Sequence, residues 1–155
     1  MNLGLKNKIA LVAASSKGLG RASAEALAQE GAKVAICARD GKALKAAADE
    51  IAAATRSEVL AIPADVNSSR DIERVVKETV NHFGALHILV TNAGGPPAGY
   101  FDEFDDKQWQ EAFNLTLMSA VRLIRAAIPH MQKEQWGRII NITSISVKEP
   151  VENLI

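Results

Sequence analysis

The 155-residue sequence has no excess of charge of either sign, because 18 basic residues balance 18 acidic ones. A protein that binds nucleic acid or a membrane surface needs a basic face, so we expect neither partner. Long apolar runs are also missing, and the sequence predicts no segment that spans a bilayer. Residues 1–8 lack the apolar core of a signal peptide, so we expect a cytoplasmic protein.

Cysteine is scarce as well. The single cysteine, Cys37, allows no internal disulfide bond and lies inside an apolar run, where a buried strand residue is expected. Apolar residues make up 48% of the chain, which is enough for a hydrophobic core, and the length is typical of one domain. We find no repeat and no domain boundary, and we therefore predict that residues 1–155 form a single domain without a metal site.

Five short apolar runs alternate with segments of helical spacing. The runs are nearly continuous, which is typical of strands buried on both faces of a parallel sheet that helices cover. We therefore predict an α/β fold with a Rossmann-like, doubly wound parallel sheet in three αβα layers and the strand order 3-2-1-4-5. The predicted strands are Ile9–Ala13, Val34–Ala38, Val59–Ile62, Leu86–Thr91 and Arg138–Thr143.

The longest predicted helix runs from about Lys107 to Met131, after a loop rich in glycine and proline at residues 94–99. Apolar side chains recur along it at three- or four-residue spacing, which is typical of an amphipathic helix. These side chains are Trp109, Phe113, Leu117, Val121, Ile124 and Ile128.

Residues 13–20 read Ala-Ala-Ser-Ser-Lys-Gly-Leu-Gly and lie between the first predicted strand and the first predicted helix. Glycines in such a turn let the backbone approach a pyrophosphate, and the N-terminus of the helix offers free N–H groups and a partial positive charge. An ordinary strand-to-helix turn would also explain the glycines alone. The position of the turn in the first strand-helix-strand unit favours a phosphate-binding loop.

This loop resembles the Thr-Gly-x-x-x-Gly-x-Gly turn of the short-chain dehydrogenase/reductases. Asp65-Val66, after the third predicted strand, is similar to the adenine contact of that family, and Asn92-Ala93-Gly94, after the fourth, is similar to its Asn-Ala-Gly element. Asn114 in the long helix and Ser144 after the fifth strand fall where the family keeps two of its four catalytic residues. The features occur in the family's order on the same elements, and they resemble classical members such as the 3-oxoacyl-acyl-carrier-protein reductases.

The resemblance implies an oxidoreductase that acts on a small carbonyl or alcohol substrate, such as a ketone, a sugar or a 3-oxoacyl thioester. In the family, the serine hydrogen-bonds the substrate oxygen and the asparagine holds a water of the proton relay, so Ser144 and Asn114 are the expected catalytic residues. The resemblance also implies a homo-oligomer, either a dimer or a tetramer. The expected cofactor contacts are Ala14, Ser16, Lys17, Gly18, Leu19, Gly20, Arg39, Asp65, Val66, Asn92, Ala93 and Gly94.

Two alanines depart from the family's pattern. Ala13 and Ala14 stand where the family has threonine and glycine. An alanine at position 14 still permits the close turn if its φ is negative. The missing threonine removes a side-chain hydrogen bond that braces the loop, so we expect cofactor binding to survive with some loss of affinity.

The end of the second predicted strand favours NADP(H) over NAD(H). A site for NAD needs a carboxylate there to accept hydrogen bonds from the ribose, and the residue at that position is Ala38. Arg39 follows it and Lys17 lies in the phosphate loop, so two cations are available for a 2′-phosphate; solvated surface charge is the alternative. Asp40 lies two residues past the ribose position and suits a helix cap better.

The family's Tyr-x-x-x-Lys motif is expected about thirteen residues after the serine, which from Ser144 falls beyond Ile155. The sole tyrosine, Tyr100, lies in the loop after the fourth strand. We therefore expect a chain that lacks the C-terminal strands of the family's domain and does not turn over carbonyl substrates by itself. A nucleotide-binding module without redox activity is the alternative function.

Overall fold

The computed structural model describes residues 3–149 and 151–152. Five strands form one parallel sheet in the order β3-β2-β1-β4-β5, as predicted. The strands are β1 Ile9–Val12, β2 Lys33–Ala38, β3 Val59–Pro63, β4 Ile88–Thr91 and β5 Arg138–Asn141. The helices are α1 Gly18–Gln29, α2 Gly41–Thr55, α3 Ser69–Phe83, α4 Asp106–Phe113 and α5 Ser119–Lys133.

Strand β1 lies at the centre of the sheet and is buried on both faces. Leu11 belongs to a hydrophobic core that helices α3 and α5 complete, whereas Val12 belongs to a second core that α1 and α2 complete. Successive side chains of a strand point to opposite faces, so the same strand contributes to both cores. The result is the predicted three-layer, Rossmann-like αβα arrangement.

The long predicted helix is interrupted by a turn that the sequence did not predict. It runs from Asp106 to Lys133, but a π turn at Asn114–Met118 separates α4 from α5. Within this turn the N–H of Ser119 donates to the carbonyl of Asn114, five residues back. Single-turn π segments of this kind are frequent at functional sites, and periodicity does not reveal one extra residue in a turn.

The most buried face of this helix differs from its predicted apolar stripe. Among the described residues of α5, the buried side chains are Ser119, Leu123, Ala127 and Met131. Ile124 of the predicted stripe is partly buried and packs against the core. Four of the six predicted apolar residues keep between 38% and 50% of their accessible surface. These four are Trp109, Phe113, Leu117 and Ile128.

Strand β5 lies at one edge of the described sheet. Its Ile139 and Ile140 are 37% and 46% exposed, although they are apolar strand residues. Among the residues that the structure describes, no helix combines the length and the apolar character needed to cross a membrane.

His87 joins the amino ends of three strands. The backbone N–H of Ile9 donates to its ring Nδ1 at 3.1 Å. The backbone N–H of His87 donates to the carbonyl of Ile9, and the N–H of Arg138 donates to the carbonyl of His87, both at 2.9 Å. Since Nδ1 accepts a hydrogen bond, the ring is neutral and carries its proton on Nε2.

The surroundings of His87 favour this neutral form. Its side chain keeps 11% of its accessible surface, and burial together with Lys8 holds the pKa of His87 below its ordinary value. Glu134, whose carboxylate oxygen lies 3.9 Å from Nε2, acts in the opposite direction and raises the pKa of His87. A histidine with a lowered pKa makes the folded state sensitive to acid.

We predict that His87→Asn removes part of the pH dependence of stability. An unperturbed histidine has a pKa of about 6.5 and the folded one lies lower, so below about pH 6.5 the unfolded state binds more protons. The free energy of unfolding of the wild type therefore falls as the pH drops through this window, by up to about 1.4 kcal/mol per pH unit. Urea unfolding from about pH 5 to about pH 7.5 measures the slope.

His87→Ala is the matched variant, because it removes the acceptor for Ile9 as well as the titration. We expect it to be less stable than His87→Asn at neutral pH by about 1–3 kcal/mol, with an equally flat slope. Equal slopes in the wild type and His87→Asn would show that His87 does not titrate in this window.

Candidate functional site at the carboxyl edge of the sheet

The predicted site residues follow the carboxyl ends of the strands. Because all five strands are parallel, these ends lie at the same edge of the sheet. The chain moves from β1 to β2 on one side and later to β4 on the other side, which makes β1 and β4 the switch point of the topology. In open α/β sheets, ligands bind in the crevice at this point.

The N-terminus of α1 is the one that opens onto this crevice. Its cap residue, Lys17, makes no side-chain capping bond, and the first turn of α1 contains no acidic residue. Helices α2, α3 and α4 differ, since Asp40, Ser68 and Asp105 accept hydrogen bonds from their first backbone N–H groups. The first N–H groups of α1 thus remain available for an anion, with the helix dipole favouring negative charge.

The two glycines of this turn are required for different reasons. Gly18 begins α1 with φ +60°, a left-handed conformation that glycine adopts without steric cost. A Cβ at Gly20 would lie 2.5 Å from the carbonyl oxygen of Ala14 and 2.8 Å from Nδ2 of Asn92. Only glycine therefore fits at position 20 while the helix, the turn and the end of β4 stay this close.

The condition for an unstrained Ala14 is not met, because its φ is +47° rather than negative. An L residue with a Cβ pays about 1–2 kcal/mol for the left-handed conformation. The close approach of the turn to β4 imposes this backbone, so the alanine keeps the loop's shape at the cost of strain.

Ser15 is a residue of the loop that our sequence analysis did not select. It is fully buried, and its hydroxyl donates to the carbonyl of Val12 at 2.7 Å and accepts the N–H of Cys37 at 3.1 Å. Its backbone N–H donates to the carbonyl of Cys37 at 3.0 Å. Ser15 ties the loop to the ends of β1 and β2 and so supplies a brace of the kind that the missing threonine was expected to provide. Nothing in the sequence marks it, since its partner lies 22 residues away.

Asn92 holds the loop from the other side. Its Nδ2 donates to the carbonyl oxygens of Ala13 and Ala14, at 3.3 Å and 3.1 Å. Ala93 is half-buried against the core below α3 and α5, and Gly94 is exposed. The Asn-Ala-Gly element therefore fixes the turn in place, and its glycine opens the loop that follows.

Asp65 and Val66 follow β3 at the same edge. Val66 is buried in the core, whereas Asp65 is half-buried and its carboxylate accepts the N–H of Asn67 at 3.0 Å. The backbone N–H of Asp65 donates to Asp71 in α3, and this bond, with Arg74 nearby, lowers the pKa of the Asp71 carboxyl. The segment is thus held rigidly by its backbone and by the start of α3.

The two predicted phosphate cations are exposed at the crevice edge. Lys17 lies in the loop and Arg39 follows β2, and neither forms an ion pair with a residue that the structure describes. Ser16 is half-buried and Leu19 is 67% exposed. Asp40 caps α2 by accepting the N–H groups of Lys42 and Ala43, as its sequence position suggested.

The two predicted catalytic residues lie on the β4–β5 half of the sheet. Ser144 is exposed, follows β5 and caps a 3-10 turn, Ile145–Val147. Asn114 is half-buried at the start of the π turn, and its side-chain amide forms no hydrogen bond with a residue that the structure describes. Tyr100 is 53% exposed and precedes another 3-10 turn, Phe101–Glu103, in the loop after β4.

A cleft of about 550 Å³ lies at the opposite, amino edge of the sheet. Helices α1 and α2 end beside it, so carbonyl groups and negative dipole ends face it. None of the predicted site residues lines this cleft. The carboxyl edge remains the candidate site, because a free helix N-terminus, unpaired cations and a glycine without room for a Cβ come together there.

Comparison with known proteins finds similar sequences and similar structures. A family model described as short chain dehydrogenase matches residues 8–155. The chain is 35% identical to L-sorbose reductase from Gluconobacter frateurii, which was solved in complex with NADPH and L-sorbose. The two structures agree with a TM-score of 0.94 over 97% of this chain and 57% of that one.

Two further relatives are similar to this chain. A variant of actinorhodin polyketide ketoreductase, solved with NADPH, is 30% identical with a TM-score of 0.89, over 95% of this chain and 57% of that one. The 3-oxoacyl-(acyl-carrier-protein) reductase FabG of Aquifex aeolicus is 32% identical over 145 residues, which are 94% of this chain and 58% of that protein. The chain thus spans less than two thirds of the length of each relative.

We predict that Ala14→Gly stabilises the fold. Glycine relieves about 1–2 kcal/mol of left-handed strain, and its greater freedom in the unfolded state costs about 0.4–1 kcal/mol. A net gain on the order of 0.5 kcal/mol is expected in the free energy of unfolding, measured by urea denaturation.

Ala46→Gly is the matched control, since Ala46 is an exposed residue in the middle of α2. The same chemical change there should destabilise by about 0.5–1 kcal/mol. A loss of stability at both positions would mean that Ala14 is not strained.

Proposed function

The chain belongs to the short-chain dehydrogenase family, and on that premise we propose that the whole protein is an NADP(H)-dependent oxidoreductase that acts on a carbonyl or alcohol substrate. The observation that carries this proposal is the uncapped N-terminus of α1, which lies between the glycine turn and two unpaired cations. A pyrophosphate supplies the negative charge that these groups lack. The substrate classes that we propose are a ketone, a sugar or a 3-oxoacyl thioester.

The residues of the loop would hold the cofactor through its phosphates. The backbone at Gly18–Gly20 and the side chain of Lys17 would bind the pyrophosphate, and Asp65 with Val66 would contact the adenine. Asn92 would act indirectly, because its bonds to Ala13 and Ala14 keep the turn in shape. The nicotinamide of the cofactor, when bound, supplies or accepts the hydride.

The end of β2 supports NADP(H) as the preferred form. Ala38 offers no carboxylate to a ribose, and Asp40 is engaged as a helix cap. Arg39 is exposed and unpaired among the described residues, so its guanidinium is free to bind a 2′-phosphate in bidentate fashion. Both solved relatives reported above hold NADPH, which agrees with this choice.

The catalytic half of the proposal rests on Ser144 and Asn114. The hydroxyl of Ser144 would donate a hydrogen bond to the substrate oxygen, and the amide of Asn114 would hold a water for proton transfer. Both residues belong to elements of the β4–β5 half of the sheet. We further propose that the protein acts as a homo-oligomer; its cytoplasmic location stays a prediction.

The alternative function is a nucleotide-binding module without redox activity. Such a module would bind NADPH with the same loop but would reduce no carbonyl. A panel of ketones, sugars and 3-oxoacyl thioesters, assayed with the whole protein and NADPH, separates the two candidates.

We predict that Arg39→Asp weakens NADPH binding and spares or improves NADH binding. A cation facing the 2′-phosphate becomes an anion that repels it, while NADH has no phosphate there. The expected loss of NADPH affinity is about 10- to 100-fold, the range for a hydrogen-bonded charge. Titration of both cofactors by fluorescence measures it.

Arg56→Asp provides the control, because it makes the same change of charge at the opposite edge of the sheet. It should leave the affinities for both cofactors unchanged. Equal losses of NADPH and NADH affinity in Arg39→Asp would mean that Arg39 is not a ligand of the phosphate.

We predict that Ser144→Ala and Asn114→Ala lower kcat in the whole protein while the affinity for NADPH is kept. Loss of one donor to the reacting oxygen costs about 10²–10³-fold in kcat, and an impaired proton relay costs about 10²–10⁴-fold. Steady-state kinetics with a substrate from the panel measure both effects.

Two neighbouring threonines serve as matched controls. Thr143 precedes Ser144 in an exposed segment, and Thr116 lies in the π turn with its hydroxyl bonded to the carbonyl of Ala112. Their alanine variants should keep most of the activity. A larger loss of kcat in Thr143→Ala than in Ser144→Ala would assign the proposed role to Thr143. A larger loss of kcat in Thr116→Ala than in Asn114→Ala would assign it to Thr116.

A further inference from the structure

A second hydroxyl lies against the proposed catalytic serine. Ser144 caps the 3-10 turn that follows β5, and the backbone N–H of Ser146 donates to its Oγ at 3.2 Å. The Oγ of Ser146 lies 2.7 Å from the Oγ of Ser144, the usual length of a hydrogen bond between two hydroxyls. Ser144 is exposed, whereas Ser146 is half-buried, so the outer hydroxyl is supported by the inner one.

The number of hydrogens and lone pairs limits what this pair can do. A serine hydroxyl has one hydrogen to donate and two lone pairs that accept. The N–H of Ser146 fills one lone pair of Ser144. If Ser144 gave its hydrogen to Ser146, it would have none for a substrate oxygen. If Ser146 donates instead, both lone pairs of Ser144 are filled. The O–H of Ser144 is then its only group that can still form a hydrogen bond.

We propose that Ser146 is a positioning residue that commits Ser144 to the role of hydrogen-bond donor. The inference rests on the proposed function, because it assumes that the reacting group is a substrate oxygen. With both lone pairs of Ser144 occupied, its O–H points away from the turn, and each bond in the chain from Ser146 to Ser144 to the substrate polarises the next. Ser146 itself acts only through Ser144.

Kinetics of the whole protein test this role. Ser146→Ala should lower kcat by about 3- to 10-fold, which is the effect of one ordinary hydrogen bond, and leave the affinity for NADPH unchanged. Ser146→Thr keeps a hydroxyl at the same position and should restore kcat. In a Ser144→Ala background, Ser146→Ala should have no further effect, because Ser146 then has nothing to orient.

Ser57→Ala is the matched control for loss of a serine hydroxyl. Ser57 lies at the opposite edge of the sheet, and its hydroxyl donates to the carbonyl of Ala28 at 2.8 Å. It should leave kcat unchanged. An unchanged kcat in Ser146→Ala, or an equal loss of kcat in the Ser144→Ala background, would overturn the proposal.

A second measurement tests the serine pair without any turnover. Ser144→Cys introduces a thiol whose ionised form is stabilised by hydrogen-bond donors. In the double variant with Ser146→Ala, the pKa of this thiol should rise by about one unit or more, because a donated hydrogen bond is lost. The rate of alkylation by iodoacetamide as a function of pH reports the pKa.

The native cysteine does not interfere with this measurement. Cys37 is 1% exposed, and burial raises the pKa of its thiol to about 11. Equal thiol pKa values in the single and the double variant would overturn the proposal, because they would show that the two side chains do not interact. Failure of the wild type to reduce any carbonyl of the panel would overturn the proposed function, a result distinct from the behaviour of the thiol.

Discussion

Strand β1 pairs in parallel with β2 on one side and with β4 on the other, and its four residues are all buried. Because parallel strands end at the same edge, this pairing brings the loops after β1, β2 and β4 together. The chain passes from β1 to β2 on one side and later crosses from β3 to β4 on the other side, so a crevice opens between the two halves. The free helix end, the two cations and the Asn-Ala-Gly element owe their proximity to this one arrangement.

The loop at residues 13–20 has a strained backbone at Ala14, and hydrogen bonds from neighbouring side chains stabilise it. The left-handed backbone of Ala14 costs about 1–2 kcal/mol, while an ordinary intramolecular hydrogen bond contributes about 0.5–1.5 kcal/mol. The hydroxyl of Ser15 and the amide of Asn92 together make several such bonds around the turn. Their combined contribution outweighs the strain, so the turn is held open at the N-terminus of α1 before any ligand arrives.

The two halves of the site are built differently. In the proposed function, binding on the side of β2 and α1 would depend on backbone N–H groups and on the charges of Lys17 and Arg39. On the side of β5, the proposed chemistry would depend on the direction of single hydrogens, at Ser144 and at Asn114 in the π turn. A serine that could donate or accept equally would be a poor partner for a substrate oxygen, and a neighbouring hydroxyl removes that ambiguity.

The sequence by itself determined the strands, their order, the glycine turn and the cap at Asp40, because hydrophobic periodicity and turn residues report local burial and backbone conformation. Only the tertiary structure decided the φ of Ala14, the partner of Ser15 and the exposure of the apolar stripe that includes Trp109. These features depend on contacts between distant parts of the chain, such as the 78 residues that separate Ala14 from Asn92. A residue pattern tells which groups need partners, whereas packing selects which partner each one receives.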